Sequence, residues 1–148
     1  MQAICVLHQT EYSGYILFTE KNTHCEIEVN LQGLPPGKRG FHIHERGNLL
    51  EGCKSLCAHF NPTNKNHGGL NSKDSHVGDL GNIEVNQKGK VNCIINAKRI
   101  KLRGKNSIIG RSIVIHQKED DCGKGFNKDS LITGNAGKRI ACGIIGYY

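Results

Sequence analysis

Tryptophan is absent from this sequence, methionine occurs once, proline three times, and aromatic residues make up only 5% of the chain. Any core must therefore be built from aliphatic side chains, and a proline-rich or collagen-like chain is excluded. No apolar stretch approaches the length of a membrane-spanning helix, so a membrane partner is not expected. The opening MQAICVLHQTEYSG lacks a basic segment followed by a longer apolar run, which argues against a secretory leader and for a cytoplasmic protein. Heptads, internal repeats and low-complexity tails are also missing. The formal charge of +7 is spread along the chain, unaccompanied by a zinc-finger, RRM or helix-turn-helix pattern. A nucleic-acid partner is therefore not expected, whereas a positive field favours encounter with a small anion.

What the sequence does have is glycine, 19 residues of it, and short runs of alternating or β-branched character. These runs fall at 3–8, 14–20, 24–31, 40–45, 81–86, 91–97, 111–117 and 139–145, separated by turn chemistry such as LPPGKRG and NQKGK. Eight short strands in a chain of 148 residues predict a single all-β domain over 1–148, an antiparallel sandwich or barrel. Residues 46–80 and 118–138 break the rhythm as two long polar loops, the second with a helical turn near NKDSL at 127–131. Loops of that length in a compact domain point to function.

Six of the eight histidines lie in the first loop or on strands bordering the two loops; His8 and His24 are read as ordinary strand or surface residues. In GFHIHERG, period-two geometry puts His42 and His44 on one face of a strand and Ile43 on the other. His59, His67, His76 and Asp79, all from the first loop, make a complete four-coordinate set for zinc. His42 and His44 then need a partner, and His116 at the end of RSIVIHQ is the strand-borne candidate for an imidazole-rich site suited to copper as well as zinc. A rival Cys/His zinc module from Cys53, Cys57 and His59 lacks a fourth ligand nearby. Of the seven cysteines, Cys5, Cys25 and Cys93 read as small buried hydrophobes, while Cys53, Cys57 and Cys142 suit a cross-link or a metal, with their pairing open.

The segments GFHIHERG, HFNP, HGG, HVGDLGNI, IIGRSIVIHQKEDD and GNAGKRIACG, in this order and spacing, resemble the Cu,Zn superoxide dismutase family over roughly residues 3–146. The resemblance implies an eight-stranded Greek-key barrel that disproportionates superoxide to dioxygen and hydrogen peroxide. It implies copper on His42, His44, His59 and His116, and zinc on His59, His67, His76 and Asp79, with the His59 ring shared and serving as proton carrier. Asp120 would accept hydrogen bonds from His42 and His67, and Arg139 would hold the substrate anion beside copper. Thr133 and Lys128 would lie along the substrate channel. Lys128 stands where relatives carry an acid, and Ile132 where they often carry lysine. The resemblance also implies a Cys53–Cys142 disulfide, leaves Cys57 as a competitor for the same partner, and gives the loop thiol Cys122 no role. It further implies a homodimer through Ile109, Ile144 and the region of Gly47, with Arg46 in place of an aromatic residue, and a copper-delivery partner.

Overall fold

Eight strands alternate side chains between an aliphatic interior and solvent, as the hydrophobic periodicity requires. The computed structural model describes residues 1–148. The strands are β1 (Gln2–His8), β2 (Ser13–Glu20), β3 (Cys25–Gln32), β4 (Gly37–His44), β5 (Asp79–Val85), β6 (Lys90–Ala97), β7 (Ser112–His116) and β8 (Arg139–Tyr147). In β3, CEIEVNLQ buries Cys25, Ile27, Val29 and Leu31 and turns the residues between them outward. The ladder order is β5-β4-β7-β8-β1-β2-β3-β6, with every pair antiparallel. β3 thus pairs with β6, and β4 lies between β5 and β7, which are the long crossings of a Greek key. β5 and β6 end the order and face each other without a ladder, so the barrel is nearly closed along one seam.

A cluster of 26 buried residues fills the interior, almost all aliphatic, with Phe18, Phe41 and Phe60 its aromatic members. β4 and β7 differ from the other strands. Phe41 to His44 and all five residues of β7 are buried, because the two loops cover their outer face. Ile43 joins the core while its neighbours His42 and His44 point to the covered side. The β4–β5 register shifts between Gly40 and His42, and the β7–β8 register shifts between Ile115 and His116. Such bulges bend a strand locally and re-aim its side chains, and here both fall beside a histidine.

The structure corrects the sequence reading in four places. β4 starts at Gly37, so half of the expected turn LPPGKRG is strand, with Arg39 donating from Nε to Pro35 O at 3.0 Å. β5 starts at Asp79, which pairs with His42, so this candidate ligand stands on a strand and not in the loop. A 3₁₀ turn at Gly52–Leu56 was not expected; the one at Lys128–Leu131 was. Cys93 is half-buried against the core instead of enclosed by it.

Candidate metal centre

The covered face of β4 and β7 carries three of the histidines, and the first loop folds back over it. Phe60 N donates to Ile43 O at 2.8 Å, Ile43 N to Gly78 O at 2.8 Å and Gly78 N to Phe60 O at 2.9 Å, so two points of the loop are tied to Ile43 near the end of β4. That docking sets His59 beside His44 in an isolated bridge.

Seven side chains meet there. Donor atoms of His42, His44, His59 and His116 lie within 4.8 Å of one another, as do those of His42, His59, His67 and Asp79. His76 joins the second group, its Nδ1 3.3 Å from His59 Nδ1 and 3.2 Å from Asp79 Oδ1. His42 and His59 belong to both, their rings 4.0 Å apart between centroids, and His59 Nδ1 lies 3.0 Å from Asp79 Oδ1. All seven are at most 6% exposed, and Asp120 is 2% exposed. Burying this many polar rings is costly unless each nitrogen has a partner.

The hydrogen bonds show which nitrogens are occupied. His42 Nε2 donates to Asp120 Oδ2 at 2.5 Å and His67 Nε2 to Asp120 Oδ1 at 2.7 Å, so one carboxylate orients a ring from each group. His44 Nδ1 donates to Cys57 O at 2.8 Å and His116 Nδ1 to Gly137 O at 3.1 Å. Their Nε2 atoms then approach each other at 3.4 Å as two acceptors, a contact that calls for a cation between them. His42 Nδ1 and His67 Nδ1 are buried with no hydrogen-bond partner, although His67 Nδ1 lies 2.9 Å from Asp79 Oδ1, off the bonding direction. Asp79 Oδ2 accepts from Gly68 N and His76 N at 3.0 and 2.8 Å, which leaves Oδ1 free to face the rings. Orphaned imidazole nitrogens converging with a carboxylate oxygen are the donor set of a metal site, and the residues fit two cations.

Burial, reinforced by neighbouring rings, pushes His42 down to about 3, and burial with nearby cationic groups takes His116 down to about 4. His44 and His59 are depressed for the same first reason. These imidazoles are neutral near pH 7 and can offer lone pairs. Burial also disfavours charge on His67, but the hydrogen bond to Asp120 and the close Asp79 carboxylate outweigh it and raise this ring to about 9. Burial works to raise Asp79 and Asp120, yet the histidines bonded to each hold both carboxyls below the usual range. Two buried carboxylates thus make a negative pocket that retains a proton, or in its place a metal cation.

Asp120 is itself fixed by a residue the sequence reading missed. Asn82 on β5 donates from Nδ2 to Asp120 O at 3.0 Å and accepts from Asp120 N at 2.7 Å. Gly134, at φ +68, packs so closely that a Cβ there would lie 2.0 Å from Asp120 Oδ1 and 2.5 Å from His67 Nε2.

A cleft of about 540 Å³ opens onto His44, His59 and His116, with Thr133 and Ile132 on its rim and Arg139 in its wall. Lys128 is exposed outside this lining, and the lysine that takes part is Lys118. Arg139 donates to Cys53 O at 2.8 Å and to Cys57 O at 2.5 Å. Cys57 sits at φ +66, a conformation uncommon for a side-chain-bearing residue, and its single carbonyl serves both His44 and Arg139. The role of Cys57 is thus carried by its backbone. Cys53 and Cys142 are disulfide-bonded and Cys57 is a free thiol, so the rival Cys/His module is not assembled.

The family model for copper/zinc superoxide dismutase matches residues 12–145. A Cu-Zn superoxide dismutase of Paramecium bursaria Chlorella virus 1 is 51% identical over 148 residues, covering 99% of this chain and 79% of that one. Cu-Zn superoxide dismutase 5 of Dictyostelium discoideum is 50% identical, covering 98% of this chain and 97% of its own. Among solved structures, one described as the clock protein EA4 superposes with a TM-score of 0.96 at 44% identity, covering 99% of this chain and 94% of that one.

Proposed function

The chain belongs to the copper/zinc superoxide dismutase family, and from that premise we propose which of its residues perform the family's reaction. The reaction is disproportionation of superoxide to dioxygen and hydrogen peroxide, with copper and zinc as cofactors. Bound copper supplies one-electron chemistry, and zinc, which has no redox change, supplies fixed charge. His42 Nδ1, His44 Nε2, His116 Nε2 and His59 would hold copper; His59, His67, His76 and Asp79 would hold zinc. The observation that carries this assignment is the pair of buried donor groups that overlap at His42 and His59, where His42 has Nε2 spent on Asp120 and His59 turns Nδ1 to Asp79, with imidazole nitrogens left unpartnered.

The other roles follow from position. Asp120 keeps protons on His42 Nε2 and His67 Nε2, so their Nδ1 atoms stay free for metal. His59 turns Nδ1 toward Asp79 and lines the cleft, which suits its other nitrogen to carry a proton to the product. Arg139, held by two carbonyls, presents a charge that does not titrate near neutral pH to an incoming anion. Thr133 narrows the rim, and Lys118 and Lys128 contribute to the field that attracts superoxide. The test is metal content and superoxide removal measured on one preparation. Copper and zinc bound without catalysis would replace the enzyme by a metal-carrying module.

Replacing Arg139 with Ala should leave both metals bound and lower the bimolecular rate roughly ten- to hundredfold, the loss of one or two charge-assisted hydrogen bonds to the anion. The rate should also become less sensitive to salt. Pulse radiolysis over a range of ionic strength checks this, and an unchanged rate removes Arg139 from the substrate site.

The whole chain would act as one domain and pair as a homodimer. Gly47 packs against Gly110 and Ile144, and Leu49, Leu50 and Tyr147 expose apolar surface in the adjoining loop and the last strand. Ile109 and Ile144 are half-buried, and Arg46 is exposed beside them. Sedimentation equilibrium should give twice 16.3 kDa, and a monomer at micromolar concentration would refute the pairing. Five free cysteines against one disulfide suit a reducing compartment, so a cytoplasmic location and a copper-delivery partner are part of this reading. No helix of the structure is long and apolar enough to cross a membrane, and a 49% identical relative from Drosophila melanogaster is named extracellular.

A further inference from the structure

The loop that carries His67 and His76 is fastened at a second place, across the β5–β6 seam at the end of β6. Asn71, at φ +60, donates from Nδ2 to Asn96 O at 2.8 Å and accepts from Lys98 N at 2.8 Å, so its side chain completes the end of β6. Arg99, two residues beyond the end of β6, reaches back to the same loop. Its Nη1 donates to Ser75 O at 2.9 Å, and its Nη2 donates to His76 O at 3.0 Å and to Ser75 Oγ. Ser75 is fully buried and ties its hydroxyl to Ser72 O at 2.8 Å. Arg99 forms no ion pair within 4.0 Å, which the other partly buried arginines in this fold also lack, but it alone grips the backbone of a predicted zinc ligand.

We infer that Arg99 is a positioning residue for zinc: by holding the carbonyls of Ser75 and His76 against the end of β6, it places the His76 ring and the turn that leads to Asp79. The inference rests on the ligand assignment proposed above. The segment is short enough for the clamp to matter. His76 N donates to Asp79 Oδ2, and Asp79 N donates to His76 O at 3.2 Å, so the carbonyl gripped by Arg99 belongs to the same turn that fixes the carboxylate. The β5–β6 seam has no ladder, and Arg99 and Asn71 supply side-chain hydrogen bonds that join the loop's outer half to the β6 side of it, beside the apolar packing of Val77 and Ile100. A planar guanidinium can span two successive carbonyls; an ammonium reaches them as a single point charge.

Electrostatics and positioning predict opposite signs, which makes the inference testable. Removing a cation near a zinc site should by charge alone strengthen binding of a dication. Removing a clamp should weaken it, on the order of ten- to a hundredfold, as for other groups that orient metal ligands. The experiment is chelator competition for zinc, with the absorption spectrum of cobalt in the same site, on the full chain and on Arg99→Met, Arg99→Lys and His76→Ala. Arg99→Met and Arg99→Lys should both bind zinc at least tenfold more weakly and perturb the cobalt bands, while copper affinity changes far less. Arg99→Lys keeps the charge and guards against a variant that fails to fold. Unchanged or tighter zinc binding in both Arg99 variants would overturn the clamp. If His76→Ala binds zinc as well as the unmodified chain, it is the ligand assignment that fails instead.

Discussion

Substituting His116 with Ala is expected to abolish superoxide turnover while the barrel and the zinc ligands stay in place. His116 stands at the end of β7, re-aimed by the bulge after Ile115, and its Nδ1 is already spent on Gly137 O. Only Nε2 is left to serve a metal, and alanine offers nothing in its place. The cavity left behind opens on the cleft and can fill with water, so the stability cost should be small beside the functional one. His67, His76 and Asp79 make no contact through His116, so zinc should be retained. Metal analysis and a turnover assay check both halves. Catalysis that survives in the His116→Ala protein would exclude this residue from the copper set.

The second large effect is on stability. Cys53 and Cys142 are 89 residues apart, and their bond closes most of the chain into one loop. In the chain-entropy account such a closure stabilises the fold by roughly 4 to 5 kcal/mol. Cys142→Ser should therefore lower the melting temperature by about 10 to 20 °C, which calorimetry of the metal-free protein measures. A drop of only a degree or two would mean that the loop is held by its other contacts. Activity should fall as well. The bond fixes Cys53 three residues along β8 from Arg139, and the carbonyls of Cys53 and Cys57 are what hold that guanidinium in the cleft wall.

Most of the barrel was legible in the sequence because period-two burial is a local property: CEIEVNLQ betrays its faces by alternation alone, and KVNCIINA does so apart from the outward-facing Ile94. β4 was harder. Its first residues, Gly37 to Arg39, carry no apolar pattern, and they are strand because they pair with β5, a partner 44 or more residues away. The histidines could be nominated from spacing, but which of them meet depends on two bulges and on the loop's docking to Ile43, neither of which spacing encodes. The Cys53–Cys142 pairing came from family resemblance, since counting cysteines left it open. Asn82, Asn71 and Arg99 went unnoticed for a common reason: each works by bonding to main-chain atoms far away in sequence, so nothing in its neighbours marks it. Cys57 was read as a thiol, whereas its contribution to the site is a carbonyl oxygen.

His59 being common to both donor groups has a thermodynamic consequence. A ring that is shared makes the two binding equilibria a single linked system, so whatever factor zinc contributes to the affinity for copper, copper must return to zinc. Stripping either ion should change the hold on the other by that same factor, and a titration run in both orders would have to close the cycle.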